Sequence, residues 1–314
     1  MSNSSAVRPP TSRLSSSSPG YTMTRTNDIR PALAGLLLLV AAGASTAADA
    51  AGAAACNRAC LDGIASQFLQ SVVAHDPSRL KLAPGLRYTE DSLDLKPGQG
   101  FWATAGRMRQ HRLNLLDEKR STAAGLAVME EGGQPVLLAY RLKVDKGAVS
   151  EIETLVVKPT GERAMLDMTT LAVPRQEFLV EIPPAQRASR DELLRISQFY
   201  PDGLKVGSFV KVDAPFAANA RRLENGMVLA GPDCSRNENC KNMKTQPSPE
   251  RPTLRQRLLA VDEEQGITFY WIAWEQQTGN TLIVWEAFKV YGGQIQGVEA
   301  FLERGDPKLN SGWK

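Results

Sequence analysis

Apolar positions recur on a helical period from Asp62 to Ala74, where Ile64, Phe68, Leu69, Val72 and Val73 share one face. The same period returns from Asp191 to Phe199 with Leu193, Leu194, Ile196 and Phe199, and Ser66-Gln67-Phe68 reappears as Ser197-Gln198-Phe199. Elsewhere the pattern has period two. Leu142 to Glu153 predicts strand, glycine turn and strand, and Phe288 to Glu299, 146 residues later, repeats it with Lys, Val, Gly and the final Glu in step. A further strand precedes each hairpin, Gly125 to Met129 and Ile267 to Trp274. Each copy also carries an apolar loop with proline, Leu82-Ala83-Pro84 or Ala214-Pro215-Phe216. A charged motif follows, Arg87-Tyr88-Thr89-Glu90-Asp91 or Arg221-Arg222-Leu223-Glu224-Asn225-Gly226.

Helix, motif and hairpin in the same order twice predict two domains of one fold, residues 51–160 and 188–314. The proline-bearing stretch 161–187 is the expected connector, and the two domains are expected to pack as an intramolecular pseudo-dimer. Trp271, Trp274 and Trp285 fall on neighbouring strands, where core packing explains them better than stacking on a sugar, an aromatic platform being the alternative. Asp262-Glu263-Glu264 is a turn without the alternating oxygen ligands of a calcium loop. His75-Asp76-Pro77 ends the first helix, since proline disfavours helical backbone before it.

The first fifty residues follow another plan. Residues 1–22 are rich in Ser, Pro and Thr and have the composition of a disordered leader, with translation starting at Met1 or Met23. Arg25 and Arg30 precede the apolar run 32–42, and small residues follow it, the layout of a secretory signal peptide. The run is shorter than the roughly 20 residues a membrane span needs. Cleavage near residues 47–50 is therefore expected to yield an exported chain, periplasmic or extracellular, with no stable membrane insertion.

Charge and cysteine content narrow the function classes. The formal net charge of +3 falls to +1 without residues 1–50, which argues against a nucleic-acid footprint. His75 and His111 are too few for a histidine-rich metal site, and phosphate-binding glycine loops, serine elbows and HExxH are absent. No cofactor is expected. In an oxidising compartment Cys56, Cys60, Cys234 and Cys240 become disulfide candidates; three pairings exist, and proximity favours Cys56 with Cys60 and Cys234 with Cys240.

Several motifs together carry a family resemblance: Cys56-x-x-x-Cys60-Leu61, Ala74-His75-Asp76-Pro77, Gly100-Phe101-Trp102, Arg141-Leu142-Lys143 and Glu151-Ile152-Glu153 in the first half. In the second they are Arg222-Leu223-Glu224-Asn225-Gly226, Val261-Asp262-Glu263-Glu264, Glu286-Ala287-Phe288-Lys289 and Val298-Glu299-Ala300-Phe301. Over residues 56–314 the chain resembles a tandem, mostly exported family of unknown function within the nuclear-transport-factor-2 superfamily, with its SnoaL-like cyclases and ketosteroid isomerase. The resemblance implies an α+β fold: two tandem cone-shaped barrels, each a curved antiparallel sheet wrapped on helices around a pocket for a small hydrophobic ligand. Asp91-Ser92 stand where the family has Asn-Gly, and Ala217-Ala218-Asn219 where it has acidic residues and a cysteine, so carboxylate chemistry is expected in the first half.

Within that pocket a desolvated carboxyl becomes a usable base. Glu90 or Asp91 is the expected base, His111 its proton partner, and Arg87 or Arg141 the holder of an oxyanion. Tyr88, Trp102, Glu153, Arg222, Glu224 and Asn225 complete the candidate binding set. The competing structural expectation pairs Glu90 with Arg87 and Glu224 with Arg221, and makes Glu151 and Glu153 an exposed salt-bridging face. Two functions follow: a cofactor-independent lyase, isomerase or cyclase acting on a hydrophobic carbonyl compound, or a non-catalytic ligand-binding or interaction module.

Overall fold

A computed structural model describes residues 56–159, 166–277, 279–305 and 313, which belong to one compact unit, residues 51–314. The leader, the signal peptide and its cleavage region lie outside the described residues, as does part of the expected connector.

Asn57 caps helix α1 (Arg58–Val73) by accepting the Cys60 N–H, and the Cys56–Cys60 disulfide closes over this first turn. Leu61, Ala65, Phe68, Leu69 and Val72 form its buried face, whereas Val73 is exposed. The first sheet follows: β1 (Leu82–Glu90), β2 (Leu93–Leu95), the one-turn helix α2 (Phe101–Thr104), β3 (Ala105–Asp117), β4 (Thr122–Glu131), β5 (Gln134–Asp145) and β6 (Ala148–Val157). Beyond α3 (Gln176–Leu179) comes α4 (Arg190–Lys205), capped by Ser189. The second sheet is β7 (Phe216–Glu224), β8 (Met227–Ala230), β9 (Arg255–Asp262), β10 (Ile267–Glu275), β11 (Thr281–Tyr291) and β12 (Gln294–Gly305). The two six-stranded sheets have the same order, β2-β1-β6-β5-β4-β3 and β8-β7-β12-β11-β10-β9.

Both predicted hairpins form, on turns at Lys146-Gly147 and Gly292-Gly293 whose central φ angles are all positive, the geometry that favours glycine. The sheets are mixed rather than antiparallel: β1 runs parallel to β6 and β7 parallel to β12. A four-strand meander begins at the far edge of each sheet and returns its last strand beside the first. Leu82-Ala83-Pro84 is the start of β1, not a loop; β1 is next to a parallel strand with a register shift, which accommodates the proline. Helix α4 continues through Pro201 to Lys205, beyond the expected Phe199, because Tyr200 and Leu204 extend its buried face.

Strands β4, β5, β10 and β11 are buried along almost their whole length. One face of each sheet packs on its own helix, giving two separate cores. The other faces meet in a third core, with Leu126, Leu137 and Leu155 of the first half against Phe269, Trp271, Trp285 and Phe301 of the second. This explains why these strands are apolar at consecutive positions rather than alternately.

Charged pairs bind the halves reciprocally. Arg58, opening α1, makes a two-pronged contact to Asp262 at 2.8 and 3.0 Å, and Asp262 also accepts the Leu116 N–H. Arg190, opening α4, contacts Asp117 at 3.0 and 2.8 Å, and Asp117 accepts the Val261 N–H. Each aspartate also accepts the backbone N–H three residues on, at Arg120 or Gln265. Likewise Glu153 lies 2.5 Å from Arg257 across the interface, and Glu299 lies 2.7 Å from His111.

Candidate active site

A cavity of about 550 Å³ lies in the second half, between α4 and the inner face of its sheet. Tyr200 from α4, Arg222 and Glu224 from β7, and Glu286 from β11 converge on its floor, with Arg251 from the loop before β9 beside them. Leu204, Trp274, Leu282, Val284 and Leu302 supply apolar walls. Charges at the mouth, Glu250, Glu275 and Arg304, are exposed. The combination of an apolar enclosure with a few converging polar groups is that of a small-molecule site.

Arg222 is buried; its Nη1 donates to the Tyr200 hydroxyl at 3.3 Å and its Nε lies 3.3 Å from Glu224, too poorly aligned for a hydrogen bond. Burial first, and the neighbouring Glu224 charge second, push the Glu286 carboxyl up to about 8, against the opposing influence of Arg222, Tyr200 and Arg251. Glu286 is therefore a neutral acid at pH 7, while Glu224 is the partner of a guanidinium. Arg251 stacks on Trp274, 4.8 Å from the ring centre.

The corresponding space in the first half is filled. The register that places Glu286 opposite Ala300 places Tyr140 opposite Thr154, and the one that places Arg222 opposite Val298 places Tyr88 opposite Ile152. Both positions are thus aromatic where the second half has a carboxyl, Glu286, and a guanidinium, Arg222. Trp102 packs against Tyr88 and Phe68, its ring 5.8 Å from the first and 5.4 Å from the second, with Nε1 donating to the Ser71 carbonyl at 3.1 Å, and Phe68 in turn touches Tyr140. Glu90 anchors this plug. It accepts the Phe101 N–H at 2.9 Å and the Tyr88 hydroxyl at 2.8 Å. Gly100 allows that approach: its φ is +63° and a Cβ there would strike the Glu90 carboxylate.

The expected first-half site is accordingly dispersed. His111 faces Glu299 across the interface and not Glu90, because β3 presents it to the other sheet. Burial works against its protonation, but contact with Glu299 and the Glu299 charge outweigh this and raise its pKa. Arg87 pairs with Asp94 at 3.0 Å, not Glu90, and stacks on Trp313. Arg141 is held by Glu151 and Glu153 and also faces Trp313. Glu153 is buried, so the pair Glu151 and Glu153 is not an exposed face. Asp91 accepts the Val156 N–H at 2.7 Å. In the second half Arg221 pairs with Asp233, leaving Glu224 to Arg222, and Asn225 exchanges hydrogen bonds with the backbone of Leu302. Of the candidate residues, Arg222 and Glu224 line the cavity. Glu286, Tyr200, Arg251 and Trp274 were not singled out as site residues, although Glu286 stands out as an acid inside the apolar strand Leu282 to Phe288.

Among the described residues no group of three or more His, Cys, Asp or Glu is arranged to hold a metal, and no helix is long and apolar enough to cross a membrane. Both disulfides form as proximity suggested, Cys56–Cys60 and Cys234–Cys240.

Three buried carboxyls give a stability prediction. Burial, aided by neighbouring carboxylates, raises Asp91 and Glu303, which titrate together, and it raises Glu286 to about 8. The native state keeps these protons where the unfolded chain, near pH 4, has released them. Their contribution is full below about pH 4 and is lost as pH rises through 7 to 8. The raised His111 acts in the same sense, its contribution being lost as pH rises above about 6.5. Urea midpoints are thus expected to fall between pH 5 and 8.5; a constant or rising midpoint contradicts the assignment.

Comparison with known proteins adds a family match. A family model described as a domain of unknown function (DUF8021) matches residues 186–302, spanning α4 and the second sheet as far as Leu302. No curated protein matches the chain. Among solved structures, a "putative ketosteroid isomerase" from Kribbella flavida DSM 17836 is 16% identical over 40% of this chain and 91% of that chain, at a TM-score of 0.25.

Proposed function

We propose that this chain is an exported protein of two tandem nuclear-transport-factor-2-like, SnoaL-like domains forming an intramolecular pseudo-dimer, whose second half carries a cofactor-independent acid–base site. Its chemistry is enolisation of a carbonyl compound, the step common to isomerases, lyases and cyclases of this type. The observation that carries the proposal is a neutral buried acid, Glu286, beside a second carboxyl, Glu224, in an apolar-walled cavity. Two carboxyls held in different environments divide acid and base roles. Glu286 donates a proton to the carbonyl oxygen, Glu224 accepts one from the adjacent carbon, and Arg222 with the Tyr200 hydroxyl stabilises the oxygen as charge develops. The two disulfides support export, and the reciprocal Arg58–Asp262 and Arg190–Asp117 contacts support the pseudo-dimer.

Deuterium exchange into 2-tetralone, followed by proton NMR, tests the chemistry without knowledge of the natural substrate. The wild-type protein is expected to accelerate exchange, with the rate falling as pH rises through about 8, where Glu286 loses its proton. Glu286→Gln is expected to lose about 10²–10⁴-fold, the size of one acid–base contribution. Exchange no faster than in buffer removes the catalytic reading; calorimetric binding of the same ketone would then favour the non-catalytic module.

A further inference from the structure

The charges on the cavity floor do not balance. Arg222 and Arg251 are two guanidinium groups, while Glu224 is a single carboxylate and Glu286 is kept neutral by burial. Glu250, Glu275 and Arg304 stand at the exposed mouth, where water screens them. Arg222 and Arg251 line the same cavity, and burial, joined by the Arg222 charge, lowers the Arg251 pKa. Arg251 Nη1 donates to Ser248 Oγ at 2.6 Å and the Pro249 carbonyl at 2.8 Å, and Arg222 Nη1 donates to the Tyr200 hydroxyl at 3.3 Å.

We infer that the ligand of the second-half cavity is a monoanionic acid, a carboxylate on an apolar body, with the carboxylate received between Arg222 and Arg251 and the body against Trp274, Leu282 and Leu302. This rests on the proposed pocket and names its ligand class. A carboxylate fits because its two oxygens match the planar fork of a guanidinium. Its charge balances the floor, and Arg251, stacked on Trp274, joins the anion subsite to the apolar wall. The groups facing Glu286 are Glu224 and Arg222 from β7, Tyr200 from α4 and Arg251 from its loop. A bound anion adds a negative charge to this set, which strengthens the hold of Glu286 on its proton.

The test is calorimetric titration of the full-length protein with two matched pairs, 2-naphthylacetate against 2-naphthylacetamide and octanoate against octanamide. Each acid is expected to bind at least tenfold more tightly than its amide at low salt. At pH 8, titrations in buffers of different ionisation enthalpy are expected to show proton uptake with the acids only, and none in Glu286→Gln. In Arg251→Gln the preference for acid over amide is expected to shrink about tenfold; the comparison within the wild type stands even if that variant folds poorly. Amides binding as well as acids overturn the inference and leave the pocket intact. Binding of none of the four compounds removes both.

Discussion

Trp102→Ala is expected to cost about 3–5 kcal/mol, the range for removing a large buried aromatic. The indole is 1% exposed, touches Phe68 and Tyr88 edge-on and donates to the Ser71 carbonyl, so the substitution removes packing and a hydrogen bond together. Nothing adjacent can collapse readily into the space, because Tyr88 is tied to Glu90, and Glu90 to the backbone of α2. The variant should acquire in the first half an apolar counterpart of the open second cavity. Added indole should then recover part of the loss, since a ligand of the native state alone stabilises it by mass action. Guanidinium unfolding measures both effects. A loss of only about 0.5 kcal/mol, the scale of a surface change, would mean that Trp102 is not the plug described.

The second large effect is expected at the reciprocal aspartates. Asp262→Ala removes the two-pronged partner of Arg58 and strands the Leu116 N–H; Asp117→Ala does the same to Arg190 and the Val261 N–H. Breaking a buried pair costs about 3–5 kcal/mol. Here each arginine keeps a second carboxylate, Glu264 for Arg58 and Glu263 for Arg190, so its charge is not abandoned. The expectation is therefore about 3 kcal/mol for each variant, the lower end of that range. Equal costs at the two positions follow from their matched environments. A difference between them of more than half the expected cost would show that the two halves do not share this interface equally.

Much of the architecture was legible in the chain. The repeat of helix, charged motif and hairpin led to two like sheets because periodicity and turn glycines act locally, as Lys146-Gly147 and Gly292-Gly293 show. Cysteine spacing likewise identified both disulfides, since a short loop leaves a close partner within reach. The candidate site was less legible. The charged motif of the first half directed attention to Glu90, and the near-neutral titration of an imidazole to His111, yet their surroundings depend on residues far along the chain: Phe101 and Trp102 for one, Glu299 for the other.

What the sequence determined by itself was the two long helices, the glycine-turn hairpins, their repeated order, and the staples within single loops. Only the tertiary structure decided which half stays open. Tyr140 and Glu286 hold equivalent places in equivalent strands, and neither position by itself reveals its surroundings. A ring filled by Trp102 closes one space, whereas a carboxyl facing Arg222 and Glu224 lines the other. Burial and charge balance belong to groups brought together from distant segments, and so they exist only once the chain has folded.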